Sequence, residues 1–165
     1  MKKIYYSWQD VEGACLELAR QITSSDWRPE YIVGITRGGA IPAILLSQYL
    51  GISMRPLQVS LRDGGECVSD LGMGEDAFDG KNILIVDDIN DSGATIAWIK
   101  QDWPSGCFPD DNTWDTVWSN NVRFATLTNN TASKESVDYS VWEVNKLEDD
   151  CWLVYPWEDF WRNDN

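Results

Sequence analysis

The chain has no histidine, and its 4 cysteines, Cys15, Cys67, Cys107 and Cys151, are too scattered for a CxxC zinc site or a dense disulfide framework. Reduced thiols in a cytoplasmic protein are the expectation. Positive charge is also scarce: 13 Lys and Arg stand against 27 Asp and Glu, a formal net charge of -14. That balance argues against attraction to nucleic acid or to an anionic membrane, so neither is an expected partner, and an anionic substrate has to be met by local positive groups. No apolar run approaches transmembrane length, and residues 1–8 lack the apolar stretch of a signal peptide. The Asn129-Asn130-Thr131 sequon is, without secretion, a chance match. There is no internal repeat or low-complexity tract. The 165 residues are expected to form one domain, 1–165, large enough for a core without disulfides.

What the chain does have is concentrated at residues 83–95, Ile-Leu-Ile-Val-Asp-Asp-Ile-Asn-Asp-Ser-Gly-Ala-Thr. The apolar run at 83–86 suits a strand buried on both faces, the usual state in a parallel sheet. Asp87, Asp88 and Asp91 emerge at its carboxyl end, the edge where open α/β sheets bind ligands. Ser92, Gly93, Ala94 and Thr95 open a helix expected over 95–100, where free N–H groups and the helix dipole favour an anion. The carboxylates suit a cation or hydroxyls and the turn suits a phosphate, so a phosphorylated sugar would use both. An acidic pair alone is unspecific, because strand-end carboxylates also serve as caps and solvated ends. The added turn makes the functional reading the stronger one, although it is not a P-loop, which needs GxxxxGK[ST].

Around this motif the pattern alternates strand and helix. Ser7 and Asp10 form a capping-box pair, and Val11, Cys15, Leu18 and Ile22 then recur at helical spacing. A strand at 31–36 runs into Arg37-Gly38-Gly39 and an apolar helix at about 41–50. Such a glycine turn is often only backbone geometry, but on a neighbouring strand end it reads as a second phosphate loop with Arg37 adding charge. A further strand is expected at 54–61, then a Gly- and acid-rich loop at 62–80. An insertion at 102–121 carries Trp103, Trp114 and Trp118 and is expected to pack on its own aromatics. Strands are expected at 122–127, around Val137, Tyr139 and Val141, and at 152–154. Most of the 10 tryptophans read as core. Trp152 is the exception, placed to stack on a planar ligand, and Phe160 and Trp161 are expected to anchor a surface tail.

These residues resemble the type I phosphoribosyltransferases through the motif at 83–95. Across most of the chain, apart from 102–121, they resemble the xanthine-guanine and hypoxanthine branch through Ile35-Thr36-Arg37-Gly38-Gly39, Phe124-Ala125-Thr126 and the Trp152-to-Glu158 ending. The resemblance implies an α/β, doubly wound, mainly parallel sheet flanked by helices, with a small hood formed by terminal segments at about 129–160. It implies Mg-dependent transfer of ribose 5-phosphate from phosphoribosyl pyrophosphate to a 6-oxopurine (hypoxanthine, guanine or xanthine), the chemistry of purine salvage, and a homo-oligomer, for which Trp98, Trp103 and Trp114 are candidate interface residues. Carried over, Ser92, Gly93, Ala94 and Thr95, with Asp91, hold the ribose phosphate, and Arg37, Gly38 and Gly39 hold pyrophosphate. Asp87 and Asp88 meet the ribose hydroxyls and magnesium, directly or through water. Asp91 is the general base, Trp152 and Leu153 bind the base, and 62–80 is a mobile loop closing over the reacting centre.

The chain also departs from the family. Asn130 stands where the purine enzymes carry a lysine that reads the 6-oxo group, and it supplies a hydrogen bond without charge. Lys134 could replace that lysine only if its loop bends back. Leu61 follows Ser60 where the family has a tyrosine, and Ser92 and Ala94 replace the commoner threonine and glycine. Asn130 and Leu61 feed an alternative reading, a catalytically weak regulatory or nucleotide-binding protein on the same fold. Retention of Asp87, Asp88 and Asp91 favours the enzyme.

Overall fold

The computed structural model describes residues 1–62 and 64–161. In chain order the strands are β1 (Lys2–Tyr5), β2 (Tyr31–Thr36), β3 (Met54–Gln58), β4 (Ile83–Asn90), β5 (Val122–Asn130), β6 (Tyr139–Val144) and β7 (Cys151–Val154). The helices are α1 (Trp8–Ser24), α2 (Ala40–Leu50), α3 (Leu71–Phe78) and α4 (Ala94–Gly106). The main sheet has the order β3-β2-β4-β5-β6, and every pair in it is parallel. The chain leaves β2 toward β3 on one side and β4 toward β5 on the other. The carboxyl ends of β2 and β4 therefore flank a topological switch point, where doubly wound sheets open a crevice.

Period-two alternation explains why the central strands are apolar throughout. Leu84 and Val86 of β4 face the core built with α1 and α2, together with Ile32, Leu18 and Leu46. Ile83 and Ile85 face the opposite core, built with α3 and α4, together with Val33, Met73 and Ile99. Helix α1 begins at the expected capping box: the Asp10 amide donates to Ser7 Oγ at 3.0 Å and the Ser7 amide to Asp10 Oδ2 at 2.8 Å. Val11, Cys15, Leu18 and Ile22 all lie on its buried face. A second, two-stranded sheet pairs β1 with β7, bringing the two ends of the chain together beside the main sheet. Among the described residues no helix is long and apolar enough to cross a membrane.

Several local expectations are corrected. The segment 62–80 is not loop throughout, because Leu71–Phe78 forms α3, capped by Asp70 Oδ1 accepting from the Met73 amide at 3.0 Å. Its apolar contacts, Met73 and Ala77, are an i,i+4 pair obscured by Gly72 and Gly74 on either side of Met73. Strand β3 stops at Gln58, and Val59 instead makes an isolated antiparallel bridge to Cys67. Helix α4 runs past residue 100 to Gly106, so Trp103 belongs to a helix and not to an insertion. Trp103 and Trp114 are 2% and 5% exposed, which removes both as interface candidates. Trp114 stacks on Trp118 at 5.8 Å between centroids and Trp118 on Phe124 of β5 at 6.3 Å, so these aromatics extend the second core. Phe160 and Trp161 are 69% and 62% exposed and anchor nothing in the core, and the rest of the expected tail, 162–165, lies outside the described residues, as does residue 63 of the expected loop.

Trp103 is fully enclosed, yet its indole Nε1 has no hydrogen-bond partner among the described residues. Its contribution is therefore volume and not a polar bond. Trp103→Ala is expected to cost about 3–5 kcal/mol in urea unfolding, and Trp103→Phe distinctly less. Equal losses for the two variants would show that the indole edge matters.

Candidate active site

A cleft of about 1030 Å³ opens at the switch point, lined from β2, β4, the start of α4 and the segment around β7. Its first wall is the turn after β2. The Thr36–Arg37 peptide is cis, and Gly38 and Gly39 follow where no side chain fits. A Cβ on Gly38 would overlap the Asp88 carboxylate, and one on Gly39 would overlap the Val86 carbonyl and lie 2.8 Å from the Asp87 Cα. The absent side chains let the turn lie directly against the end of β4. Arg37 and Gly38 line the cleft, while Gly39 packs beneath them.

Asp87 and Asp88 form the cleft floor. The Asp88 amide donates to Asp87 Oδ1 at 2.9 Å and the Ile89 amide to Asp88 Oδ1 at 2.7 Å. Burial first, then the adjacent Asp88 charge, pushes the Asp87 carboxyl well above its ordinary 3.8, and burial raises Asp88 likewise. No basic side chain forms an ion pair with either acid among the described residues, and no third acid or thiol completes a metal cluster there. Two uncompensated carboxylates suit a magnesium ion that completes its shell with ligand phosphate and hydroxyl oxygens, the habit of that ion.

The opposite wall is the turn from β4 into α4. Gly93 adopts a φ of 91°, in the left-handed region, and a Cβ there would sit 2.8 Å from Ser133 Oγ. Glycine is required twice, by conformation and by the approach of the β5–β6 loop. The N-cap Gly93 has no side chain to cap α4, and apart from the Ala94 amide, which lies 3.3 Å from Ser92 Oγ, the amides of its first turn can meet an anion beside Ser92 and Thr95. Asp91 at the start of this turn accepts from two cations: Arg62 Nη2 at 2.9 Å on Oδ2 and Lys146 Nζ at 3.0 Å on Oδ1.

The segment beyond β6 supplies the remaining wall. Trp152, 39% exposed on β7, faces the cleft with Leu153, and both Arg62 and Lys146 lie over its ring, at 5.3 and 5.7 Å from the centroid. Tyr155 fastens this wall to β4. Its buried hydroxyl lies 3.1 Å from the Asp88 carbonyl oxygen and 2.8 Å from Thr128 Oγ1, and its ring stacks between Tyr6 and Trp157.

The structure thus gathers Arg37, Gly38, Asp87, Asp88, Asp91, Ser92, Gly93, Ala94, Thr95, Trp152 and Leu153 around one cleft. Asn130 does not join them. It is 6% exposed, its amide nitrogen donates to the Asp91 carbonyl at 2.9 Å, and its oxygen accepts from the amides of Ala132 and Lys146. Sequence reasoning missed Arg62, Lys146 and Tyr155. The available signal for the two cations was their rarity: each lies in an acidic stretch of a chain short of positive charge.

The sign of the acid-pair effect follows from linkage. A carboxyl whose folded value is raised contributes stability below about pH 4, and that contribution is lost as pH rises through the raised value. In metal-free buffer, Asp87→Asn is expected to melt above the parent at pH 7–8, by about 2–4 °C per kcal/mol of relieved strain on the ionised pair, with the gap closing toward pH 4. A gap independent of pH would contradict the burial argument.

A family model described as the phosphoribosyl transferase domain matches residues 1–158. The xanthine-guanine phosphoribosyltransferase of Idiomarina loihiensis is 28% identical over 162 residues, covering 95% of this chain and 88% of that protein. The protein of the same name from Cereibacter sphaeroides is 28% identical over 167 residues, covering 95% and 87%. Among solved structures, a purine phosphoribosyltransferase from Pyrococcus horikoshii superposes with a TM-score of 0.68 at 26% identity, covering 96% of this chain and 95% of that one. A match over nearly the whole chain, on a parallel sheet whose switch point holds the cleft, means that the protein belongs to the phosphoribosyl transferase domain family and is a glycosyltransferase.

Proposed function

We propose that the protein transfers the ribose 5-phosphate group of phosphoribosyl pyrophosphate to a ring nitrogen of a 6-oxopurine, releasing pyrophosphate. The observation that carries this reading is the spacing of functions within one cleft: anion-binding turns after β2 and β4 stand on either side of a bare acid pair, and an exposed tryptophan faces them. A donor with a phosphate at one end and a pyrophosphate at the other fits such a layout, and its sugar lies over the acids. The named relatives, which are xanthine-guanine and purine phosphoribosyltransferases, support the purine as acceptor.

On this reading the α4 N-terminus and Ser92 to Thr95 hold the 5-phosphate, while Arg37 and the backbone at Gly38 and Gly39 hold the pyrophosphate. Asp87 and Asp88 would hold magnesium with the donor's own oxygens, and the ion supplies neutralising charge for pyrophosphate. As the bond from C1′ to the pyrophosphate oxygen breaks, positive charge grows on the sugar, and the two carboxylates beneath it stabilise that charge. The base nitrogen bonds to C1′, and Asp91 accepts the proton that the purine ring gives up. The chain has no histidine to do so. Trp152 stacks on the base and limits water at the reacting carbon.

The test is a panel of nucleobases incubated with phosphoribosyl pyrophosphate and magnesium and scored by pyrophosphate release. Hypoxanthine, guanine or xanthine is expected to stimulate release, and Asp91→Asn is expected to lower kcat by about 10² to 10⁴-fold with a much smaller change in donor binding. Stimulation by no base at all would instead favour a nucleotide-binding protein on this fold.

A further inference from the structure

The loop between β5 and β6 lies against the turn that opens α4, and its contacts there are polar. None of residues 131–136 belongs to either apolar core, so hydrophobic packing does not hold this loop in place. Hydrogen bonds to the end of β4 do. Asn90 is 3% exposed, and its amide nitrogen donates to Glu135 O at 2.8 Å and to Asn129 Oδ1 at 2.9 Å. Its oxygen accepts from Ser133 Oγ at 3.0 Å. Although Asn90 borders the cleft, both of its donors are spent inside the fold and none is left for a ligand.

Two further bonds run from this segment to the backbone of the turn. Asn130 Nδ2 donates to the Asp91 carbonyl at 2.9 Å, and the Lys134 amide donates to the Ser92 carbonyl at 3.2 Å. These are consecutive carbonyls, and in a planar trans peptide the N–H points opposite to the C=O. Pinning both oxygens toward the loop therefore turns the Ser92 and Gly93 N–H groups away from it. Neither N–H has an acceptor among the described residues, and both residues line the cleft. Adjacent free N–H groups next to a left-handed residue, here Gly93 at a φ of 91°, form a concavity suited to an anion. The contact is close as well as directed, since a Cβ on Gly93 would sit 2.9 Å from the Glu135 amide nitrogen.

We infer that the segment 130–135 is a backbone lock for this turn, with Asn130 and Asn90 as positioning residues that aim the Ser92 and Gly93 amides at the donor's 5-phosphate. The inference rests on the reading above, in which the turn holds that phosphate. It gives Asn130 a task on the donor side of the cleft. A loop that merely completed the fold would support both halves of the donor site alike. The lock acts on one half alone, because no hydrogen bond joins residues 130–135 to the turn at 36–39 among the described residues.

Titrations followed by phosphorus NMR in magnesium buffer test the assignment with two ligands, ribose 5-phosphate for one half of the site and pyrophosphate for the other. Asn130→Ala and Asn90→Ala are each expected to raise the Kd of ribose 5-phosphate by about 10-fold and to leave that of pyrophosphate within about twofold. Retained pyrophosphate binding also shows that a variant is folded. Ser133→Ala removes one bond to Asn90, is expected to move in the same direction by a smaller factor, and carries the test if either asparagine variant fails to fold. Equal losses for the two ligands, or unchanged ribose 5-phosphate binding in the folded variants, overturn the lock while leaving the proposed reaction standing. A parent protein to which ribose 5-phosphate or pyrophosphate does not bind overturns the donor-site reading, and the lock with it.

Discussion

The whole site depends on how closely the turn after β2 approaches the end of β4. Gly34 and Val86 are register partners in the sheet, and a few residues later Gly38 and Gly39 pass over Asp87 and Asp88 with no room for a β-carbon. This contact sets the distance between the anion-binding turn and the acid pair. It also half-buries two neighbouring carboxyls and so raises their proton affinity. The sheet tolerates that cost because four apolar residues on β4, packed on both faces, hold the strand in register. A half-buried acid pair that makes no ion pair among the described residues is a poor way to stabilise a fold and a good way to attract a cation carried by a charged substrate.

A second constraint fastens the acceptor side to this floor. The two-stranded sheet of β1 and β7 would sit loosely on its own. The ring sequence Trp142, Tyr6, Tyr155 and Trp157 stacks it against the end of the main sheet, with centroid separations of 4.1, 5.5 and 5.0 Å. Tyr155 then bonds the Asp88 carbonyl. The strand that carries the acids is therefore also the strand on which the tryptophan wall is hung. Asp91 completes the convergence, because its carboxylate gathers Arg62 from the loop after β3 and Lys146 from the turn before β7.

Much of this was legible in the chain because the signals were local. The four apolar residues before Asp87 define β4, the Ser7–Asp10 pair starts α1, and the acids followed by Ser92 and Gly93 mark an anion site at a helix start. What was not legible depended on tertiary contact. Helix α3 carries two glycines in its first turn and forms because Met73 and Ala77 enter the second core. There Gly74 lies so close that a β-carbon would meet Cys107 Sγ at 3.3 Å. Helix α4 continues through Pro104 because Ile99 and Trp103 are buried against that same core. Asn130 shows the limit most clearly: its position in the chain marked it for the base, and only the fold reveals that its amide serves two backbones while Lys146 comes to the cleft.

The central claim is that two turns on either side of one acid pair grip the two ends of a single donor. A crystal structure of the protein with phosphoribosyl pyrophosphate and magnesium tests it most directly. The account predicts the 5-phosphate against the backbone amides of Ser92 to Thr95, the pyrophosphate against Arg37 to Gly39, and the sugar above Asp87 and Asp88. Density for the pyrophosphate away from the turn after β2, or for the sugar away from the acid pair, would contradict it.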